Sequence, residues 1–391
     1  MTHAAPASRG RPTFDVADIV RAHRDALAQR MTLSRVQNKA LTDMAQCRTA
    51  ALGGHLDVCR SCGYSHPAYN SCRNRHCPKC QSLPAERWVA ARRVRLLPVT
   101  HFHVVFTLPS ELRALAAYRR REVFGALFAA ATRTLLQLGR SDLGATLGIT
   151  AVLHTWTRDL RFHPHIHCIV TAGGLAEDNA RWVHSHPRFL FPVHVMGSLV
   201  RGKMMAALRR LERDDVFAGF EPFDIPDGFD RMMQRLAATR WVVYAKAPFA
   251  GPDHVVRYLG RYTHRVGIAN SRLLNVTGRA VTFRTKHGKS VTLAPLEFLR
   301  RLVQHILPHR FVKIRHFGLH APANVNTRLV TAHRLLAPAD SPAPDNHAAE
   351  PVAIPWYELL RNLIGRDVRE CPVCGARLDP IALAPAYSDT S

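Results

Sequence analysis

Acidic residues are scarce in this chain: 29 Asp and Glu face 54 Lys and Arg among 391 residues, a formal net charge of +25. A surface so one-sided calls for a polyanion, which leaves a membrane surface or a nucleic acid as the partner class. Long apolar runs are missing as well. None approaches the ~18 residues that cross a bilayer, and neither a lipidation motif nor a sustained amphipathic basic helix is present. Nucleic acid is therefore the expected partner, with no membrane. Met1 to Pro12 lack the apolar core of a secretory signal, so a cytoplasmic location is expected. No internal repeat is found. What remains is a 47 % hydrophobic chain, globular in character and long enough for two or three domains.

The nine cysteines are unevenly spread: six lie between Cys47 and Cys80, Cys168 stands alone, and Cys371 and Cys374 form a C-terminal pair. In a reducing compartment such clustering favours metal over disulfides.

Periodicity and composition divide the chain into segments. Residues 1–46 predict two helices, Asp15 to Arg30 and Leu33 to Gln46, with Val16, Ile19, Val20 and Leu27 on a buried face that packs onto the downstream chain. Residues 47–95, rich in Gly, Ser, Asn and Pro, predict loops that a metal must hold, since the stretch is too short for its own core. Residues 96–275 form the main domain: a strand from His101 to Pro109, a long helical region through Leu138, strands Ile149 to Trp156 and His165 to Gly174 joined as an antiparallel hairpin near Arg158 to Arg161, and a strand Arg240 to Lys246. After Pro252, Asp253 to Arg265 reads as a basic helix. Residues 276–336 add β structure (Ala280 to Leu293) and an amphipathic helix (Pro295 to Ile306); 337–355 is a proline-rich linker, and 356–391 a tail carrying the last two cysteines. Strands mixed with helices, without strict alternation, give an α+β class.

Cys59-x-x-Cys62 and Cys77-x-x-Cys80, fourteen residues apart, have the spacing of a four-thiolate zinc site. Cys47, His55, Cys72 and His76 are left over with suitable chemistry, so one or two zinc ions are expected. His66 is a weaker substitute. Cys371 and Cys374 make half a site whose partner is not legible. Arg73, Arg75 and Lys79 decorate the second half-site and are expected to touch DNA phosphate.

The segment Phe162 to Val170 places His165 and His167 on one strand face, because side chains alternate with period two. Two imidazoles there can hold a divalent ion, Mg²⁺ or Mn²⁺, against a phosphate oxygen. A third ligand is needed. His154, on the preceding strand, lies opposite or diagonal to them, with His101 and His103 as alternatives. Tyr258 and Tyr262 are one turn apart on the basic helix, and a phenolate is a competent nucleophile toward an activated phosphodiester. Arg257, Arg261 and Arg265 supply a positive field for the DNA strand and ease phenolate formation.

Taken in order, CRTAALGGH from Cys47, SCRNRHCPKCQ from Ser71, FTLP from Phe106, HPHIH from His163 and YLGRYTHR from Tyr258 resemble the rolling-circle insertion-sequence transposases of the IS91 family over roughly Cys47 to His320. The resemblance implies an HUH-nuclease fold, an antiparallel sheet flanked by helices, with two catalytic tyrosines matched by Tyr258 and Tyr262. The expected function is nicking and rejoining of single-stranded DNA at transposon ends and target through a 5′-phosphotyrosine, with no small-molecule cofactor beyond metals. A replication initiator or relaxase would use the same chemistry. A zinc-dependent DNA-binding protein with structural tyrosines is the alternative from another class.

Overall fold

The computed structural model describes residues 13–93, 95–249, 260, 267–338 and 354–386. Helix α1 (Val16–Arg30) starts where the Asp15 carboxylate accepts the Ala17 N–H, and α2 (Arg35–Gln46) starts with a capping box between Ser34 and Gln37. Val16, Ile19 and Val20 recur at helical spacing and are fully buried. Their partners come from far along the chain. Phe283, Phe298, Leu302 and Ile306 share this core, and Asn270 donates to Asp15 while accepting the Val16 N–H.

The cysteine-rich stretch, expected as loops, contains a hairpin of β1 (Gly54–Val58) and β2 (Ser65–Tyr69), followed by α3 (Ser82–Arg93). Next come β3 (His101–Thr107), α4 (Arg113–Tyr118) and α5 (Arg120–Leu143). The single long helix predicted here is broken at Arg119, whose backbone leaves the helical region while its guanidinium donates to the carbonyls of Val216 and Ala218. The long hairpin β4 (Ala145–Trp156) and β5 (Phe162–Ala176) comes after α5, then β6 (Trp182–His184), α6 (Val193–Arg213), α7 (Glu221–Asp224), α8 (Gly228–Ala238) and β7 (Val243–Phe249). The last part holds β8 (Leu273–Val276), β9 (Val281–Arg284), β10 (Ser290–Leu293), α9 (Pro295–Val303), β11 (Ile314–Gly318), α10 (Arg328–Leu336), α11 (Trp356–Ile364) and β12 (Asp379–Leu383).

The main sheet runs β11-β4-β5-β3-β7, with β6 added at the end of β5, and all its pairings are antiparallel. Alternation gives it two distinct faces. Phe102, Val104 and Phe106 of β3, Ile149, Ala151 and Leu153 of β4, and Ile166, Cys168 and Val170 of β5 point to the back, into a core shared with Leu127, Phe128 and Leu135 of α5 and Val200 and Met204 of α6. Every one of these is almost fully buried, so truncating one of the phenylalanines would cost about 3–5 kcal/mol. With antiparallel sheets flanked by helices, the architecture is α+β. No helix among the described residues is long and apolar enough to cross a membrane.

His305, just beyond α9, locks this body to the β4–β5 turn. Its Nε2–H donates to the Leu160 carbonyl at 3.1 Å, and its Nδ1 accepts from the Thr155 hydroxyl at 3.2 Å. Both ring nitrogens are satisfied in the neutral form, and burial pushes the ring down to about 4 from an ordinary 6.5. Above pH 6.5 the folded and unfolded states are both neutral here and the contribution is intact. As the pH falls from 6.5 toward 4 only the unfolded chain takes the proton, so stability is lost, by about 3 kcal/mol for a shift of this size. We expect the urea midpoint to fall across that window, and His305→Gln to flatten its slope by nearly one proton. An unchanged slope in the variant would refute the assignment.

Candidate functional site

The front of the main sheet is unlike its back. Register pairs His154 of β4 with His165 of β5, and Val105 of β3 with His167. The three rings of His154, His165 and His167 therefore converge, with centroids 4.3–5.5 Å apart and their ligand nitrogens all within 4.8 Å of one another. Local contacts fix which nitrogens face each other. The His165 Nδ1–H donates to the His163 carbonyl at 2.7 Å, leaving Nε2 as a lone-pair donor to the cluster. His167 Nδ1 lies 2.7 Å from Nε2 of His103, one strand over, so its own Nε2 is likewise held toward the cluster. His154 stacks on Trp156, with ring centroids 4.8 Å apart. His163 stays outside, with Nδ1 at 3.2 Å from the Arg113 guanidinium.

Burial pushes His165 down to about 4 against the opposing hydrogen bond to the His163 carbonyl, and holds His167 well below its ordinary value, reinforced by His154, His165 and His103. Both are therefore neutral at physiological pH, the state a metal ligand requires. Three convergent imidazoles without a carboxylate among them suit a divalent transition ion. His103 is the residue whose use sequence reasoning left open: it orients His167 from behind the cluster instead of joining it.

Beyond the histidines, the front face carries Val152 and Ile169, against which Trp88 of α3 packs. Helix α3 thus lies across the same face. On the other side, β7 presents Tyr244 opposite Val105 and Lys246 opposite His103, both exposed. Of the segment carrying Tyr258, Tyr262, Arg257, Arg261 and Arg265, only Gly260 is among the described residues. It sits so close to Val89 of α3 that a Cβ at this position would come within 2.5 Å of a valine methyl.

The cysteines are sorted differently from expectation. Cys77 and Cys80 meet Cys47 and Cys72, not Cys59 and Cys62, while Cys59 and Cys62 meet Cys371 and Cys374. In the first cluster Cys80 Sγ lies 3.3 Å from Cys47 Sγ and 3.6 Å from Cys72 Sγ, and Cys47 and Cys77 belong to the core under α1 and α2. The physical reason is that Cys47 ends α2, and that helix packs beside the Cys77 knuckle. Neither predicted histidine joins a cluster. His55 faces Asp57 at 3.2 Å, and the buried His76 accepts the Leu307 N–H at Nε2.

Two of the three cations expected on phosphate are engaged internally. Arg75 donates to the carbonyls of Phe311 and Pro308, and Lys79 pairs with Asp15 at 2.7 Å; Arg73 is exposed. The side chains at 75 and 79 thus brace the cysteine module against the segment after α9 and the start of α1, a role that spacing in sequence could not distinguish from DNA contact.

Comparison with known proteins places this histidine-faced antiparallel sheet and its thiolate module in a DNA-processing class. Residues 148–328 match the family Y2_Tnp, described as "Putative transposase", and residues 19–108 match Zn_Tnp_IS91, "Transposase zinc-binding domain". The chain is 41 % identical over 377 residues to "Putative transposase y4qJ" of Sinorhizobium fredii, covering 92 % of both chains. It is 30 % identical over 356 residues to the "Transposase for insertion sequence element IS801" of Pseudomonas savastanoi pv. phaseolicola, covering 88 % of this chain and 83 % of the relative. No solved structure matches. The chain belongs to the IS91 family of insertion-sequence transposases and carries the family's zinc-binding domain.

Proposed function

We propose that this transposase cuts and rejoins single-stranded DNA through a tyrosine ester, in the manner of rolling-circle transposition. The observation that carries the reading is the convergence of His154, His165 and His167 on the front face of the sheet, next to the helix against which Gly260 of the tyrosine segment is seated. A divalent ion bound to the three histidines supplies polarisation of a phosphate oxygen. The protein's own residues do the rest. His103 and the His163 carbonyl hold the imidazoles in orientation, and Lys246 offers a cation to the strand.

Tyr258 or Tyr262, as the phenolate, attacks phosphorus in line. The bond from phosphorus to the 3′ oxygen breaks, that oxygen takes a proton to become a free 3′-OH, and the 5′ phosphate stays on the tyrosine. Attack by a 3′-OH on the ester reverses the sequence and joins strands without an external energy source. An imidazole-only donor set favours Mn²⁺ over Mg²⁺, so half-maximal activity is expected at lower Mn²⁺ concentration.

The test is a denaturing gel of the protein incubated with single-stranded oligonucleotides from the element's ends and Mn²⁺. A covalent protein–DNA band that needs the metal is expected. Retained DNA binding with no adduct under any metal condition would instead support the reading as a zinc-dependent DNA-binding protein.

A further inference from the structure

The second thiolate cluster spans the chain. Cys59 Sγ lies 3.5 Å from Cys374 Sγ, and Cys62 Sγ lies 3.6 Å from Cys371 Sγ, across separations of 315 and 309 residues. Cys371 and Cys374 fall outside the matched zinc-binding domain, which ends at residue 108. These gaps are far too wide for a disulfide, whose sulfurs sit at about 2.05 Å. They match the edges of a tetrahedron of sulfurs about 2.3 Å from a central ion, which are about 3.8 Å long.

Two further features show a built site. The half-sites are conformational copies: Gly63 and Gly375 come directly after the second cysteine of each pair at φ of +75° and +77°. In each, that glycine's N–H returns to the first cysteine's carbonyl at 3.0 Å, and the first cysteine's own N–H is bonded to the carbonyl of the residue after the glycine, Tyr64 or Ala376. Such turns aim both sulfurs of a pair at one point. The strands beside them also pair, β12 running antiparallel to β1 from Gly54 opposite Leu383 to Val58 opposite Asp379.

Very little else holds this unit together. Its buried apolar cluster consists of Cys59, Cys371 and Leu378, with Tyr64 and Ala376 packed against it, and Ile381 of β12 is half exposed. A three-stranded sheet with so small a core does not order itself without a cross-link. We propose that Cys59, Cys62, Cys371 and Cys374 bind a zinc ion that fastens the C-terminal segment to the N-terminal module, making one zinc ribbon from two distant pieces of chain. Helix α11 lies between linker and ribbon and packs on α3, so the fastening also sets the tail beside the helix that crosses the histidine face.

The experiment uses the full-length protein purified under reducing conditions. Elemental analysis is expected to give two zinc ions per chain in the wild type and one in the Cys371→Ser/Cys374→Ser variant. Hydrogen exchange of the Cys59 to Tyr64 and β12 amides should speed up strongly in the variant while β3, β4 and β5 stay protected. Cys374→His, at an exposed position where imidazole can replace thiolate, should keep the second zinc. Alkylation provides a readout without any substitution: the native wild type should protect Cys371 and Cys374 until a chelator is added. One zinc in the wild type, two in the double variant, iron in place of zinc, or immediate alkylation of both tail cysteines in the native protein would each overturn the proposal.

Discussion

His167→Ala is expected to cut the rate of DNA nicking by at least ~10²-fold, the cost of losing one preorganised group at a developing charge, while DNA affinity stays within a few-fold. The separation reflects where each quantity originates. His167 is half-buried and faces His154, His165 and His103, whereas affinity comes from a chain with a net charge of +25 acting on phosphates. The salt dependence of binding should therefore be the same in variant and wild type. His103→Ala makes an informative contrast because His103 only orients His167. Loss of such a supporting partner weakens metal binding by about 10–100-fold, so its nicking should recover at high Mn²⁺ where that of His167→Ala does not. Single-turnover cleavage of a labelled oligonucleotide, titrated with Mn²⁺, measures both. Equal loss of binding and cleavage in His167→Ala would show that the ring supports the fold or the DNA surface instead of the chemistry.

Tyr258→Phe and Tyr262→Phe are each expected to stop complete strand transfer, and the double variant to lose all covalent adduct. One tyrosine can hold the first 5′ end while the other opens the next strand, so a single variant should still make one nick and one adduct before stalling. Each substitution removes only the hydroxyl, so loss of adduct reports on the nucleophile. The histidine face itself supplies the control. Tyr244 is exposed on β7, opposite Val105, which in turn lies opposite His167. It is therefore two strands, roughly 10 Å, from the cluster. Tyr244→Phe should leave adduct formation unchanged. Mass-spectrometric mapping of a phosphotyrosine to Tyr244 would move the nucleophile from Tyr258 and Tyr262 to β7.

Local pattern made much of the site readable. Alternation in β5 put His165 and His167 on one face, and the turn near residue 160 brought His154 opposite His165, because both are consequences of strand geometry within one hairpin. What sequence did not carry was partnership. Cys59-x-x-Cys62 and Cys77-x-x-Cys80 look like one site because they are neighbours along the chain. Yet the α2 terminus delivers Cys47 to one pair, and the β1–β12 pairing delivers Cys371 and Cys374 to the other. The internal partners of Arg75 and Lys79 were illegible for the same reason, since which acceptor a cation meets within the fold is decided by tertiary packing. His103 was visible only as one of two candidates, because its diagonal contact with His167 depends on how β3 pairs with β5.

The pairing of β1 with β12 also dictates an order of events during synthesis. The hairpin that carries Cys59 and Cys62 leaves the ribosome early, but the cysteine that faces Cys62 is 309 residues further on. At translation rates of about 5–20 residues per second the early strand waits roughly 15–60 s for its partner. Throughout that interval β1 presents an open edge on one side and two accessible thiols, a form prone to mispairing and oxidation. A nascent chain that stalls before residue 371 never leaves this state, so interrupted products should be selectively cleared or aggregated, and only chains extended past Cys374 can reach the closed form.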